Sequence, residues 1–252
     1  MPHVSQQSYA QFGEDRTLHR LIGDSTGVYV EIGGNNGIEA SNTYYFEKLG
    51  RRCILVEPIP YMVEQIRANR RCDVVEAAAD RQSGTAEFLV ARGGETLSTL
   101  DNENRVRSRV DEHPDLERIS VRTETLDRIL EEAGLVSGRD QIDLLSIDVE
   151  GNELRVIEGF TVMKWAPRVI ILEDNSFGRD HSVQAYLAQA GYTRFMVTGV
   201  NHWYVRTADT ALNTPLRRLI ASIKLGLVRA YGAVSGRGRN AGSYHHARRS
   251  RM

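Results

Sequence analysis

Cysteine is nearly missing from this chain of 252 residues, and the two present, Cys53 and Cys72, exclude a disulfide framework. They fit a reducing compartment, with both thiols structural. Long hydrophobic runs are also missing: none approaches the span of a bilayer, and nothing in the first thirty residues resembles a signal peptide. A cytoplasmic protein is the expectation. The third absence is of acid. All 33 acidic side chains lie at or before Asp209, so residues 1–209 set 23 bases against them, net −10, while nine arginines and lysines follow with no counter-charge. The asymmetry divides the chain into a body, 1–209, and a basic attachment, 210–252. Nucleic acid is excluded as a partner, because an acidic body repels phosphates. The remaining composition, 41% hydrophobic and 26% charged, is ordinary for a soluble globular protein.

What is there is organised around Val28 to Gly37, VYVEIGGNNG. A β-branched and aromatic run that ends on an acid and turns through glycines reads as a buried strand delivering backbone to a ligand. Gly33, Gly34 and Gly37 allow positive φ and close approach. Ser41 can start a helix that runs to Leu49, which completes a strand, glycine turn and helix. A second apolar strand, Cys53 to Glu57, ends on an acid twenty residues past Gly37, where an α/β sheet presents a carboxylate to ribose hydroxyls. The dinucleotide fingerprint GxGxxG is absent, for Glu31 holds the place of its first glycine. An acid there would repel a pyrophosphate and welcome a cationic cofactor. A nicotinamide-dependent dehydrogenase is thereby disfavoured.

With QFGED (Gln11 to Asp15), VEIGGNNG, ILVEP (Ile54 to Pro58), AAADRQSG (Ala77 to Gly84), LSTLD (Leu97 to Asp101), TLDRIL (Thr125 to Leu130) and LLSIDVEGNE (Leu144 to Glu153) in this order, the chain resembles the FkbM-type S-adenosylmethionine-dependent methyltransferases. The resemblance covers about residues 8 to 175. It implies a class I, Rossmann-like α/β fold: a mostly parallel seven-stranded sheet, helices on both faces and an antiparallel last strand. It implies S-adenosylmethionine as donor and, as acceptor, a hydroxyl of a sugar, glycolipid or glycosylated natural product. Glu31, Gly33, Gly34, Asn35 and Gly37 would surround the methionine portion and Glu57 would meet the ribose. Gln11 and Asp15 would lie beside the cofactor, and Asp80, at the end of the third strand, near the adenine. A scaffold that keeps the fold and binds a partner through the basic helix is the reading from another class.

Taken in order, a short helix is expected over Gln11 to Ile22 and a helix over Tyr61 to Asn69. The third strand is expected at Val74 to Ala79 and an extra one at Ala86 to Ala91. Residues 93–118 are charged and poor in apolar residues, which suits a lid over the substrate; Ser98 and Thr99 match a family signature there. Arg105, Arg107 and Arg109 within it read as a phosphate grip or a solvated basic face. Further elements are expected at Thr125 to Ala133 (helix), Ile142 to Ile147 (strand four), Asn152 to Phe160 (helix), Arg168 to Glu173 (strand five) and Ser182 to Ala190 (helix). An antiparallel pair, Thr193 to Val197 and Trp203 to Arg206, closes the sheet.

Ligands of an open α/β sheet sit beyond the carboxyl ends of its strands. Strand four delivers Asp148 and Glu150 there, and strand five delivers Glu173, Asp174 and Asn175. Oxygen donors without cysteine or histidine suit a hard cation such as Mg²⁺. The spacing of Asp148, Asp174 and Asn175 also resembles the metal site of catechol O-methyltransferases. The same acids otherwise cap the following helices. Mg²⁺ would make an acceptor hydroxyl more acidic. Asp148, Glu150 and His202 are the candidate catalytic groups, with Glu150 or His202 as base and His181 a weaker candidate; surface exposure is the other reading of both histidines.

In the attachment, Leu216, Leu219, Ile220, Ile223, Leu227 and Tyr231 share one helical face over 215–232 that Arg217, Arg218, Lys224 and Arg229 avoid. That face can pack on the body or a second subunit, or meet an anionic inner-membrane surface peripherally. Residues 237–252, rich in Gly, Ser, His and Arg, are expected to be disordered.

Overall fold

A computed structural model describes residues 7–101, 110 and 113–234. Arg105, Arg107, Arg109 and the segment 237–252 lie outside them. The central sheet is built from β1 (Val28–Ile32), β2 (Cys53–Glu57), β3 (Asp73–Glu76), β8 (Ile142–Ile147), β9 (Val169–Glu173), β10 (Tyr192–Thr198) and β11 (Asn201–Arg206) in the order β10-β11-β9-β8-β1-β2-β3. All pairings are parallel except those of β11, which runs antiparallel to both β9 and β10. This is the mostly parallel seven-stranded α/β sheet that the resemblance implies, with the reversal of strand order between β1 and β8 opening the crevice where such sheets bind ligands.

Strands β1, β2 and β8 are buried along their whole length, as expected where helices cover both faces. Side chains alternate between two cores. Val28, Val30 and Ile32 pack with Leu126, Ile129, Val156, Trp165 and Leu187, brought by α4 (Leu126–Glu132), α5 (Glu153–Glu158), α6 (Val162–Trp165) and α7 (Ser182–Gln189). Tyr29 packs on the opposite face with Leu18 of α1 (Glu14–Ile22) and Phe46 of α2 (Tyr44–Lys48). The helix expected from Ser41 to Leu49 is shorter, Tyr44–Lys48 with Thr43 at its N-cap, and Ser41 lies in the turn before it, its hydroxyl accepting from Tyr44 N at 3.0 Å.

A second sheet is new. After α3 (Pro60–Asn69) and β3, the expected third strand breaks, and Ala78–Ala79 (β4) leaves to join β5 (Gly84–Ala91), β6 (Thr99–Leu100) and β7 (Leu116–Glu124) in the order β4-β7-β5-β6. Within the lid expected over 93–118, the described residues form a turn and a short 3-10 helix, Glu95–Leu97, then strand at Thr99–Leu100 and again from Leu116. Among the described charges, Arg118 pairs with Glu87 and Asp101, and Arg92 with Glu117, on the solvent-facing β5–β7 ribbon. The last helix, α8 (Pro215–Val234), lies against β10. No described helix is long and apolar enough to cross a membrane.

Candidate active site

The loops leaving β1, β2 and β8, with Ala77, β4 and the 95–100 segment, enclose a cleft of about 930 Å³, open solvent at its mouth included. Glu31, Gly33, Gly34, Asn35, Glu57, Asp148 and Glu150 line it. The first glycine is required: at φ +88°, a Cβ on Gly33 would stand 1.9 Å from the carbonyl oxygen of Asp148. The turn is clasped by Glu57, whose Oε2 accepts from Asn35 N at 2.9 Å and Oε1 from Ile59 N at 3.0 Å. Burial pushes Glu57 up to about 7, opposed by these backbone N–H groups and that of Gly34. Gly37 is not in the lining; it stands behind the turn, where its missing Cβ leaves room for Arg70 and Ile66.

Glu31 corrects the charge argument. Its Oε2 accepts from the hydroxyls of Ser41 (2.7 Å) and Thr43 (2.5 Å), its Oε1 from Asn42 N (2.6 Å), and the buried guanidinium of Arg70 lies 3.7 Å away. Its charge is matched from within the protein, and its work here is to hold 41–43 against the cleft floor. Asn42 and Ser146, which sequence reasoning passed over, reach that floor: Asn42 Nδ2 donates to Ser146 Oγ at 2.9 Å, and Asn42 Oδ1 is buried with no hydrogen-bond partner.

Gln11 and Asp80 are placed elsewhere. Gln11 is exposed in a turn outside the lining. The rest of QFGED is a clasp, in which Asp15 accepts from Ser8 and Tyr9 while Glu14 accepts from Thr198 and Asn201 of the closing hairpin. Asp80 is held in a bidentate pair by Arg155, at 2.7 and 2.6 Å, which ties the end of β4 to α5 and removes the carboxylate from the cleft.

The metal and base candidates sort differently from their expected grouping. One carboxylate oxygen from each of Asp148, Glu150 and Glu173 lies within 4.8 Å of the other two. Asp174, expected among them, instead holds the turn after β9, accepting from Ser176 N at 2.9 Å and Gly178 N at 2.7 Å. Asn175 donates to Glu173 (2.5 Å) and Glu150 (3.2 Å), so it braces the carboxylates from outside the lining. Asp148 opens to the cleft while protein crowds its other sides, and this pushes it up to about 6 despite a hydrogen bond with Glu173. Glu173 is pushed well above the usual carboxylate range by burial first, then by Asp148, Glu150 and Glu153. Both carboxyls are thus held above the usual carboxylate range, and the pair favours keeping a proton between them. Glu150 occupies a left-handed conformation, φ +51°, secured by Thr99 Oγ1 donating to its carbonyl at 3.1 Å and by Asn152 Nδ2 donating to that hydroxyl at 2.8 Å. The LSTLD motif thus locks the loop that carries the acids.

His202 is excluded as a base reaching this cleft. It is buried in β11 with Nε2 3.4 Å from Asp174 Oδ2 and Nδ1 3.4 Å from Arg194, and burial lowers it to about 4. His181 sits at the start of α7, near Arg229, also outside the lining.

The comparisons with known proteins can be set beside this geometry. Among solved structures, the chain is similar to precorrin-6y C5,15-methyltransferase from Geobacter metallireducens GS-15, at 17% identity over 81% of this chain and 89% of that one, with a TM-score of 0.39. Comparison with curated proteins gives no match. The family described as "Methyltransferase FkbM domain" matches residues 31–194. The match takes in well over half of the chain, from the acid before the glycine turn through the carboxylate cluster to β10, and the protein belongs to the FkbM methyltransferases, for which S-adenosylmethionine is the implied donor.

Proposed function

We propose that this methyltransferase transfers the methyl group to oxygen, on a hydroxyl of a sugar, glycolipid or glycosylated natural product. The observation that carries the reading is the Asp148–Glu173 pair. A carboxylate raised to about 6 and open to the cleft is suited to take a proton from a hydroxyl near neutral pH. S-adenosylmethionine supplies an electrophilic methyl group. The cleft fits that cofactor: its glycine turn has no room for a Cβ at Gly33, small residues Ala77, Ala78 and Ala79 form one wall, and Asn42 carries an unpaired acceptor. Gly33, Gly34 and Asn35 would hold the methionine portion and Glu57 the ribose. Asp148 accepts the acceptor's proton, and Thr99 and Asn152 keep its loop still, so that the acceptor oxygen meets a fixed base.

A second reading, Mg²⁺ assistance, is favoured by the grouping of Asp148, Glu150 and Glu173. Three carboxylates are the donor type a hard cation takes, and such an ion would acidify an acceptor hydroxyl.

The test is mass spectrometry of glycolipids and glycans incubated with the protein and S-adenosylmethionine. A gain of one methyl on oxygen is expected. Asp148→Asn should lower turnover by about 10²-fold or more with cofactor affinity retained by calorimetry. Methyl transfer to nitrogen or carbon, or unchanged turnover in Asp148→Asn, would refute the assignment.

A further inference from the structure

Helix α8 presents its apolar face in the direction opposite to that of most surface helices. Leu216, Leu219, Ile220, Ile223, Leu227 and Tyr231 share that face, and an amphipathic helix ordinarily turns it to the core. Here those six side chains are 44–67% exposed. The body is met from the other side by Ala221 and Leu225, both under 5% exposed, and by Gly232, where a Cβ would fall 2.8 Å from the Phe177 ring. Cations fix this attitude. Arg217 donates to the carbonyls of Ala211 and Leu212, Lys224 to that of Val197 and Arg229 to that of Gly178. Rolling the helix to bury its leucines would break each of these bonds.

We propose that α8 docks on an anionic lipid surface, with the outward apolar face in the boundary between headgroups and acyl chains. Charge complementarity selects this occupant. From residue 210 to the end of the sequence there are nine cations and no acid, so a second copy seated face to face would bring two such segments together. A contiguous row of large apolar side chains on a 20-residue helix, flanked by cations, is the composition of an in-plane membrane helix.

The experiment is flotation of the full chain with vesicles of phosphatidylcholine alone and of phosphatidylcholine with phosphatidylglycerol. Binding is expected only to the anionic vesicles, weakening steeply with salt. Arg218→Ala should lower the partition about fivefold. Leu219→Glu, Ile223→Glu and Leu227→Glu combined should lower it at least about a hundredfold, while the thermal melt stays unchanged because these side chains face solvent. Failure to bind anionic vesicles, or equal binding to neutral ones, overturns the proposal without needing a variant. So does light scattering that shows a dimer which the triple variant converts to monomer, with no vesicle binding by either.

Discussion

Arg70 tests how the floor of the cleft is held. Its side chain is fully buried, with Nε 2.8 Å from Glu47 and Nη1 3.7 Å from Glu31, and it donates to Gly37 O (3.0 Å), Ser41 Oγ (3.1 Å) and Thr43 Oγ1 (3.2 Å). Arg70→Met keeps most of the aliphatic stem but removes every donor and the guanidinium that lies 5.2 Å from the centre of the Tyr44 ring. Two carboxylates, 7% and 16% exposed, then lose their cation, and the Gly37 carbonyl loses a partner. Breaking a buried ion pair from one side costs about 3–5 kcal/mol. Glu47 keeps some contact with water, which places the expected loss near the lower figure, about 3 kcal/mol. For a chain of this size that lowers the melting temperature by about 6–12 °C.

The assay is urea unfolding and calorimetric melting of Arg70→Met, Glu31→Gln and the double variant. Removing Glu31's charge as well should recover about 1–3 kcal/mol of the Arg70→Met loss, because the uncompensated buried charge is gone. Glu31→Gln alone should lower stability while changing S-adenosylmethionine affinity less than about tenfold, a shift below about 1.4 kcal/mol. An Arg70→Met protein that melts within about 2 °C of wild type refutes the internal-pair argument. A Glu31→Gln protein of unchanged stability with sharply weakened cofactor binding would restore direct charge selection by Glu31.

Other consequences follow from the same geometry. Gly33→Ala should abolish cofactor binding by calorimetry and lower stability by several kcal/mol, because the new methyl group meets the Asp148 carbonyl and φ is +88°. Glu57 and Glu153 are both raised to about 7, so the native state holds protons that the unfolded chain releases near the ordinary value of 4.5. The stability they confer is full below that value and is lost as pH rises to about 7, so the melting temperature should fall between about pH 4.5 and pH 7 and level off above it. Under the metal-assisted reading, Mg²⁺ binding at pH 6 should release protons, measured by calorimetry in buffers of different ionisation enthalpy. Affinity should weaken as pH falls through about 6, where Asp148 takes up its proton. Binding with no proton release would sink the three-carboxylate site.

The parallel sheet was legible because its strands are short apolar runs ended by acids or glycine, and the glycine turn because its geometry needs residues without a side chain. Of the second sheet only β5 was, as the extra strand expected at Ala86 to Ala91. In β7 only Ile119, Val121 and Thr123 carry the alternation, with Ser120 and Arg122 between them, and the partner β5 lies some thirty residues earlier. Nothing local marks Arg70 as the partner of Glu31, since the pair joins the end of α3 to β1 and forms only when the sheet does. The outward face of α8 was illegible for a related reason. Periodicity shows that an apolar face exists, but its direction is decided by Leu225, which is buried against the body, and by Ala221 and Gly232, which are small enough to approach it closely.

The carboxylate cluster, by contrast, follows from a parity that the sequence does contain. In β9, Val169 and Ile171 pack on the α1 side of the sheet and Ile170 and Leu172 on the other. Continued by two, the first series reaches Glu173, and the second reaches Asp174. In β8 the series through Leu144 and Ser146 leads to Asp148, and in β1 Tyr29 leads to Glu31, with Glu31 beside Ser146 and Ser146 beside Ile171 in register. One face of three adjacent strands therefore sends three acids to one end of the sheet, and Asp174 belongs to the other face. Like charges brought together in this way must be neutralised. Arg70 does so for Glu31, which leaves Asp148, open to the cleft, and the more enclosed Glu173 to share a proton or, on the metal-assisted reading, a cation, and the proposed chemistry rests on this pair.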